Sequence, residues 1–139
     1  MMKKKKVLFT GLGLLIALSG IFLAAFNHYS KEEKKDLTPS ETITTVHKLA
    51  KDGDIEGTKV YMDDDILKGF EKGTYWSGTY PDFILEYAEK TKFVSPIEKS
   101  LVITGESATI DVKITYMDLS EETKKYVLVK ETGIWKIAN

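Results

Sequence analysis

Three periodicities divide the chain. From Val7 to Phe26 no position is charged. From Thr38 to Ala88 apolar residues recur three and four positions apart, the signature of helices burying one stripe. After Ser95 the period falls to two, and strands are expected. The helical part opens on Thr38-Pro39-Ser40-Glu41, where Thr38 caps, Pro39 fits the first helical position and Glu41 completes a capping box. Ile43, Val46, Leu49 and Ala50 form the stripe, and Gly53 offers a left-handed stop. A short second helix is predicted from Ile55 to Tyr61. Asp63, Asp64 and Asp65 then precede Ile66, Leu67 and Phe70, acids at the positive end of a third. Gly73 to Tyr80 reads as an aromatic loop. Pro81 and Asp82 open a helix carrying Phe83, Ile84, Tyr87 and Ala88.

In the second part Ala108, Ile110, Val112, Ile114 and Tyr116 alternate with Thr109, Asp111, Lys113 and Thr115. Ile97 to Thr104, Lys124 to Glu131 and Ile134 to Ile137 are also strand-like, with turns at Gly105-Glu106, Asp118 to Ser120 and Thr132-Gly133. Helices first and an antiparallel meander second predict an α+β domain, its helices packed on one face of a sheet of about four strands.

The uncharged run changes the picture of where this domain sits. Its 20 residues span about 30 Å as a helix, the thickness of a bilayer core. Residues 1–6 carry Lys3 to Lys6 and are expected on the cytoplasmic side, residues 7–26 in the membrane and 27–37 as a charged linker. Residues 38–139 then form the extracytoplasmic domain. A cleaved secretory signal is the alternative, and would leave the domain secreted. Neither Ala24 nor Ala25 has a small residue two positions upstream, so a retained single-pass anchor is favoured. Gly13, Ala17, Gly20 and Ala24 lie on one face of this helix and offer a packing stripe for a homodimer. Apolar segments are rich in such residues, and the stripe also arises by chance.

Composition narrows the chemistry. There is no cysteine, which excludes disulfides, thiol catalysis and a lipid-modified cysteine. Beyond the anchor, sixteen lysines face twenty-one acids, a net charge of −5, a poor match for phosphate backbones. No nucleic-acid partner is expected. Every basic residue is lysine, so the two-pronged grip of arginine on anions is missing.

Within this frame several motifs look familiar. A capped helix leads into Lys51-Asp52-Gly53-Asp54-Ile55-Glu56 and on to Val60-Tyr61. The alternating strand Ala108 to Tyr116 follows, and the chain closes on Lys130-Glu131-Thr132-Gly133-Ile134-Trp135-Lys136-Ile137. Together these resemble domain of unknown function 4878, among the bacterial nuclear transport factor 2-like folds. The resemblance covers Leu37 to Asn139. It implies a cone, a curved antiparallel sheet wrapped against helices, sometimes enclosing a pocket. It implies no activity. Many such relatives are lipoproteins, and here tethering would fall to Val7 to Phe26.

No catalytic constellation is visible, and neither a cofactor nor a metal is expected. His28 abuts the apolar run, and His47 borders the first helical stripe, half in solvent. Three consecutive aspartates lack the alternate spacing of a calcium loop. Asp111 should face water, a poor place for a general base. The aromatics are the suggestive group. Tyr75, Trp76 and Tyr80 are candidates for ligand or partner contact, while Phe83, Tyr87 and Trp135 line a pocket or fill the core. The leading expectation is a non-enzymatic, membrane-tethered module that binds a protein, an envelope component or an apolar ligand. A cone-fold enzyme acting on a hydrophobic substrate, and a scaffold subunit of a membrane complex, are the alternatives.

Overall fold

The computed structural model describes residues 37–73 and 78–138, which belong to one compact unit, Asp36–Asn139. Four helices, α1 (Pro39–Lys51), α2 (Ile55–Lys59), α3 (Asp64–Glu71) and α4 (Tyr80–Lys90), precede four strands. The strands β1 (Thr91–Thr104), β2 (Ser107–Tyr116), β3 (Glu121–Glu131) and β4 (Ile134–Ile137) form one antiparallel meander in sequence order. The expected α+β class holds. The run Val7–Phe26, with Gly13, Ala17, Gly20 and Ala24, lies outside the described residues, as do Tyr75 and Trp76. Among the described residues no helix is long and apolar enough to cross a membrane.

Local chemistry sets the helix ends. At α1 the Glu41 amide donates to Thr38 Oγ1 at 3.1 Å and the Thr38 amide to Glu41 Oε1 at 2.9 Å, so the capping box is complete. At its other end Gly53 adopts φ +81°, its amide reaching Ala50 and that of Asp54 reaching Leu49. These two bonds make a Schellman stop. Asp54 caps α2 by accepting from the Gly57 amide at 2.9 Å. The carboxylate lies so close that a Cβ on Gly57 would meet Asp54 Oδ2 at 2.5 Å. Asp63 caps α3 through the Asp65 amide, as the run of aspartates predicted.

Four boundaries differ from the sequence reading, each for a physical reason. Tyr80 is the first residue of α4 rather than a loop residue, because Thr79 caps that helix through the Asp82 amide. The second helix stops at Lys59, where the chain passes through a turn at Val60–Tyr61 into a bridge between Met62 and Ile137 of β4, with Asp63 donating to Ile137 and Ile137 to Tyr61. The first strand starts at Thr91, directly after α4. Lys51 Nζ reaches from α1 to the carbonyls of Ala88 and Thr91, each at 2.8 Å, and satisfies the helix end without a loop. The third strand starts at Glu121, in a stretch too polar to read as half-buried.

The core lies between the helices and one sheet face. Ala108, Ile110, Val112 and Ile114 are all buried, and meet Ile43, Val46 and Ala50 of α1 together with Leu128, Trp135 and Ile137. Phe83, expected to line a pocket or fill the core, lines a groove. It is 37% exposed, because it stands at the lip of an opening rather than beneath it.

Candidate functional site

An open groove of about 360 Å³ runs between α1, α3, α4 and the inner sheet face. Each element supplies part of its wall from the stripe that also builds the core: Ile43 from α1, Ile66 and Phe70 from α3, Phe83 from α4 and Ile137 from β4. Phe70 organises the aromatic side. Its ring stands edge-on to Tyr80 at 5.4 Å and tilted against Phe83 at 4.9 Å. Tyr80 is buried and its Oη shares a 2.7 Å hydrogen bond with Thr58 Oγ1, so its polar atom is engaged inside the domain. Burial pushes its phenol pKa up.

Tyr87 forms the back wall beside β3. Its Oη lies 2.7 Å from His47 Nδ1, and the two rings meet edge to face at 5.8 Å. Burial, and then the Lys51 charge, push the His47 pKa below its ordinary value. Burial pushes the Tyr87 phenol far up. A neutral imidazole offers one donor and one acceptor nitrogen and a phenol can do either, so this bond is made in both tautomers of His47.

Beyond Tyr87 the groove meets a second depression of about 310 Å³, which shares Phe83, Tyr87, Lys124 and Tyr126 with it. This end is polar. Tyr116 Oη donates to Glu122 Oε1 at 2.6 Å, and that bond, followed by burial, raises the Tyr116 phenol to about 12. Lys90 pairs with Glu86 at 2.8 Å. Burial also pushes up the phenol of Tyr126.

The sequence candidates therefore separate. Tyr80, Phe83 and Tyr87 come together in one wall, while Trp135 is buried with Lys130 Nζ 5.7 Å above its ring and does not line the groove. Lys124 and Tyr126 were not foreseen. Their signal was parity: they stand four and two positions before buried Leu128, on the same face of β3. Asp111 is held in an ion pair with Lys125 at 3.1 Å, on the outer face. Among the described residues no group of three or more acids and histidines could hold a metal ion.

No family model matches the chain, and no curated protein does. Solved structures do match. A protein of Campylobacter jejuni, provisionally described as an NTF2-like transpeptidase, shares 20% identity with a TM-score of 0.53, over 74% of this chain and 99% of that one. RPA3114, a SEC-C motif containing protein from Rhodopseudomonas palustris, shares 12% identity with a TM-score of 0.56, over 73% of this chain and 76% of that one. At these identities the likeness concerns the fold alone. The α+β fold is like that of an NTF2-like protein.

Proposed function

We propose that this chain is a non-enzymatic binding module, held outside a membrane by Val7–Phe26, whose groove takes an apolar ligand. One observation carries the reading: an open groove of about 360 Å³ whose walls are chiefly aliphatic and aromatic. That size lies at the small end of ligand pockets, roughly 300–1,000 Å³, and such walls with few polar groups are their usual make-up. A domain filling this space with its own side chains would gain packing, so an open apolar groove points to an outside occupant.

The binding reading is supported over an enzymatic one by the lining itself. Among the described residues the groove is lined by no carboxylate, histidine or serine. The name of the Campylobacter jejuni relative suggests acyl transfer. That chemistry needs an activated serine or cysteine, or an equivalent nucleophile with its base, so it is not carried over. Tyr75 and Trp76 remain proposed contact residues, as part of an aromatic segment adjoining Tyr80 in sequence. The small-residue stripe Gly13, Ala17, Gly20 and Ala24 remains a proposed dimer face.

Titration with a neutral naphthylamine fluorophore tests the reading. One fluorophore should bind per chain, and Ile66→Trp should abolish binding while leaving the unfolding midpoint within a few degrees. Absence of binding, or full binding by the filled variant, refutes it.

A further inference from the structure

The groove changes character along the inner face of β3. Ile110 pairs with Tyr126, Val112 with Lys124 and Ile114 with Glu122. Ile110, Val112 and Ile114 are buried, so their partners on β3 stand over the same face and carry hydroxyl, ammonium and carboxylate where a closed core would be apolar. Lys124 and Tyr126 border both depressions.

Two of the charges around Lys124 are paired elsewhere: Glu86 holds Lys90 at 2.8 Å, and Lys125 turns to the outer face and Asp111 at 3.1 Å. Glu122, which accepts from the neutral phenol of Tyr116 at 2.6 Å, keeps its charge but makes no ion pair with Lys124. Among the described residues Lys124 has no carboxylate within ion-pair distance. A single uncommitted ammonium at the polar end of an apolar groove is complementary to one negative charge on an apolar chain. The geometry points to a single-chain amphiphile with a carboxylate head as the occupant. Its tail lies along Ile66, Phe70 and Ile137, and its head accepts from Lys124 Nζ and Tyr126 Oη. The proposal rests on the binding reading above and adds to it the ligand's charge and direction. The volume favours one alkyl chain over two. Fixing one head atom between two donors orients the ligand, the usual role of sparse polar groups in an apolar site.

The test uses the full chain, labelled with ¹³C at isoleucine methyls and held in phosphatidylcholine nanodiscs, titrated with decanoate, decanol and decylamine. Reading the Ile66 and Ile137 methyls separates groove binding from partition into lipid. Decanoate should shift both methyls and bind about fivefold more tightly than decanol, the worth of one solvated ion pair, with decylamine weakest. Lys124→Gln should erase the preference for decanoate and leave decanol unchanged, whereas Lys113→Gln, on the outer face beside Glu121, should change neither. If decanol and decanoate bind alike in the unsubstituted chain, the carboxylate is wrong while the apolar groove stands. If no ligand moves these methyls, both readings fall. Shifts that follow protein concentration instead would seat a second copy in the groove and overturn the amphiphile.

Discussion

His47 shows how one residue joins stability to the groove. It lies on α1 at the edge of the core stripe, and its ring is held by Tyr87, which lines the groove, at 2.7 Å. Burial and the Lys51 charge depress its pKa from the ordinary 6.5, so the folded domain holds a neutral ring over a range where the unfolded chain is protonated. As pH falls below about 6.5 the unfolded state takes up the proton first, and stability is lost until the folded pKa is passed; above that range histidine has no effect. The unfolding midpoint should therefore fall between pH 7 and pH 5.5, before carboxylates titrate. In His47→Gln that slope should flatten. Equal slopes in thermal melts would show that the ring titrates alike in both states. The sequence placed this histidine correctly, at a boundary, but could not supply its partner forty positions away. Contacts of that range are set by how helices cross, which periodicity does not encode.

At the scale of elements, regular pieces were legible in full and irregular ones in part. β2 alternates without a fault and was read directly. β1 carries a register shift between Ile97 and Val102, where Ser100 Oγ accepts the Asp111 amide at 2.8 Å and donates to the Ile97 carbonyl at 2.6 Å. A hydroxyl thus stands in for the missing ladder bond; the stretch Ile97 to Thr104 that holds it was read as strand, whereas the part of β1 from Thr91 to Pro96, which precedes it, was not. Turns were clearer, because their chemistry is local. The β3–β4 turn has φ +50° at Thr132 and +81° at Gly133, the double left-handed geometry of a tight hairpin. Glycine suits its place, but a β-branched threonine at positive φ is strained. Thr132→Asn should relieve that strain and stabilise the domain by about 0.5–1 kcal/mol, measured by urea unfolding with an unchanged m-value. Destabilisation would mean that the bond from Thr132 Oγ1 to the Glu131 carbonyl outweighs the strain.

For the molecule as a whole, the groove was the least legible feature, because it belongs to no single element. Phe83 and Tyr87 are spaced for one helix face, yet only the meeting of α3, α4 and β3 leaves one at the lip and the other at the back wall. What periodicity could indicate was the core, and with it the expectation that packing alone holds a domain without disulfides. Its centre is Leu128, fully buried and opposite buried Ala108 in the sheet. Among the described residues the buried apolar positions run from Pro39 to Ile137, and a chain beginning at Leu37 includes all of them. Such a chain should unfold in one cooperative step, with circular dichroism and tryptophan fluorescence coincident. Leu128→Ala should cost about 2–5 kcal/mol, a large share of the roughly 5–15 kcal/mol that holds a domain of this size. Its melting midpoint should fall by at least about 8 °C, since each kcal/mol moves a domain of this length by about 4 °C or more. A shorter chain that fails to fold, or separate transitions for the two probes, would mean that residues before Leu37 complete the core.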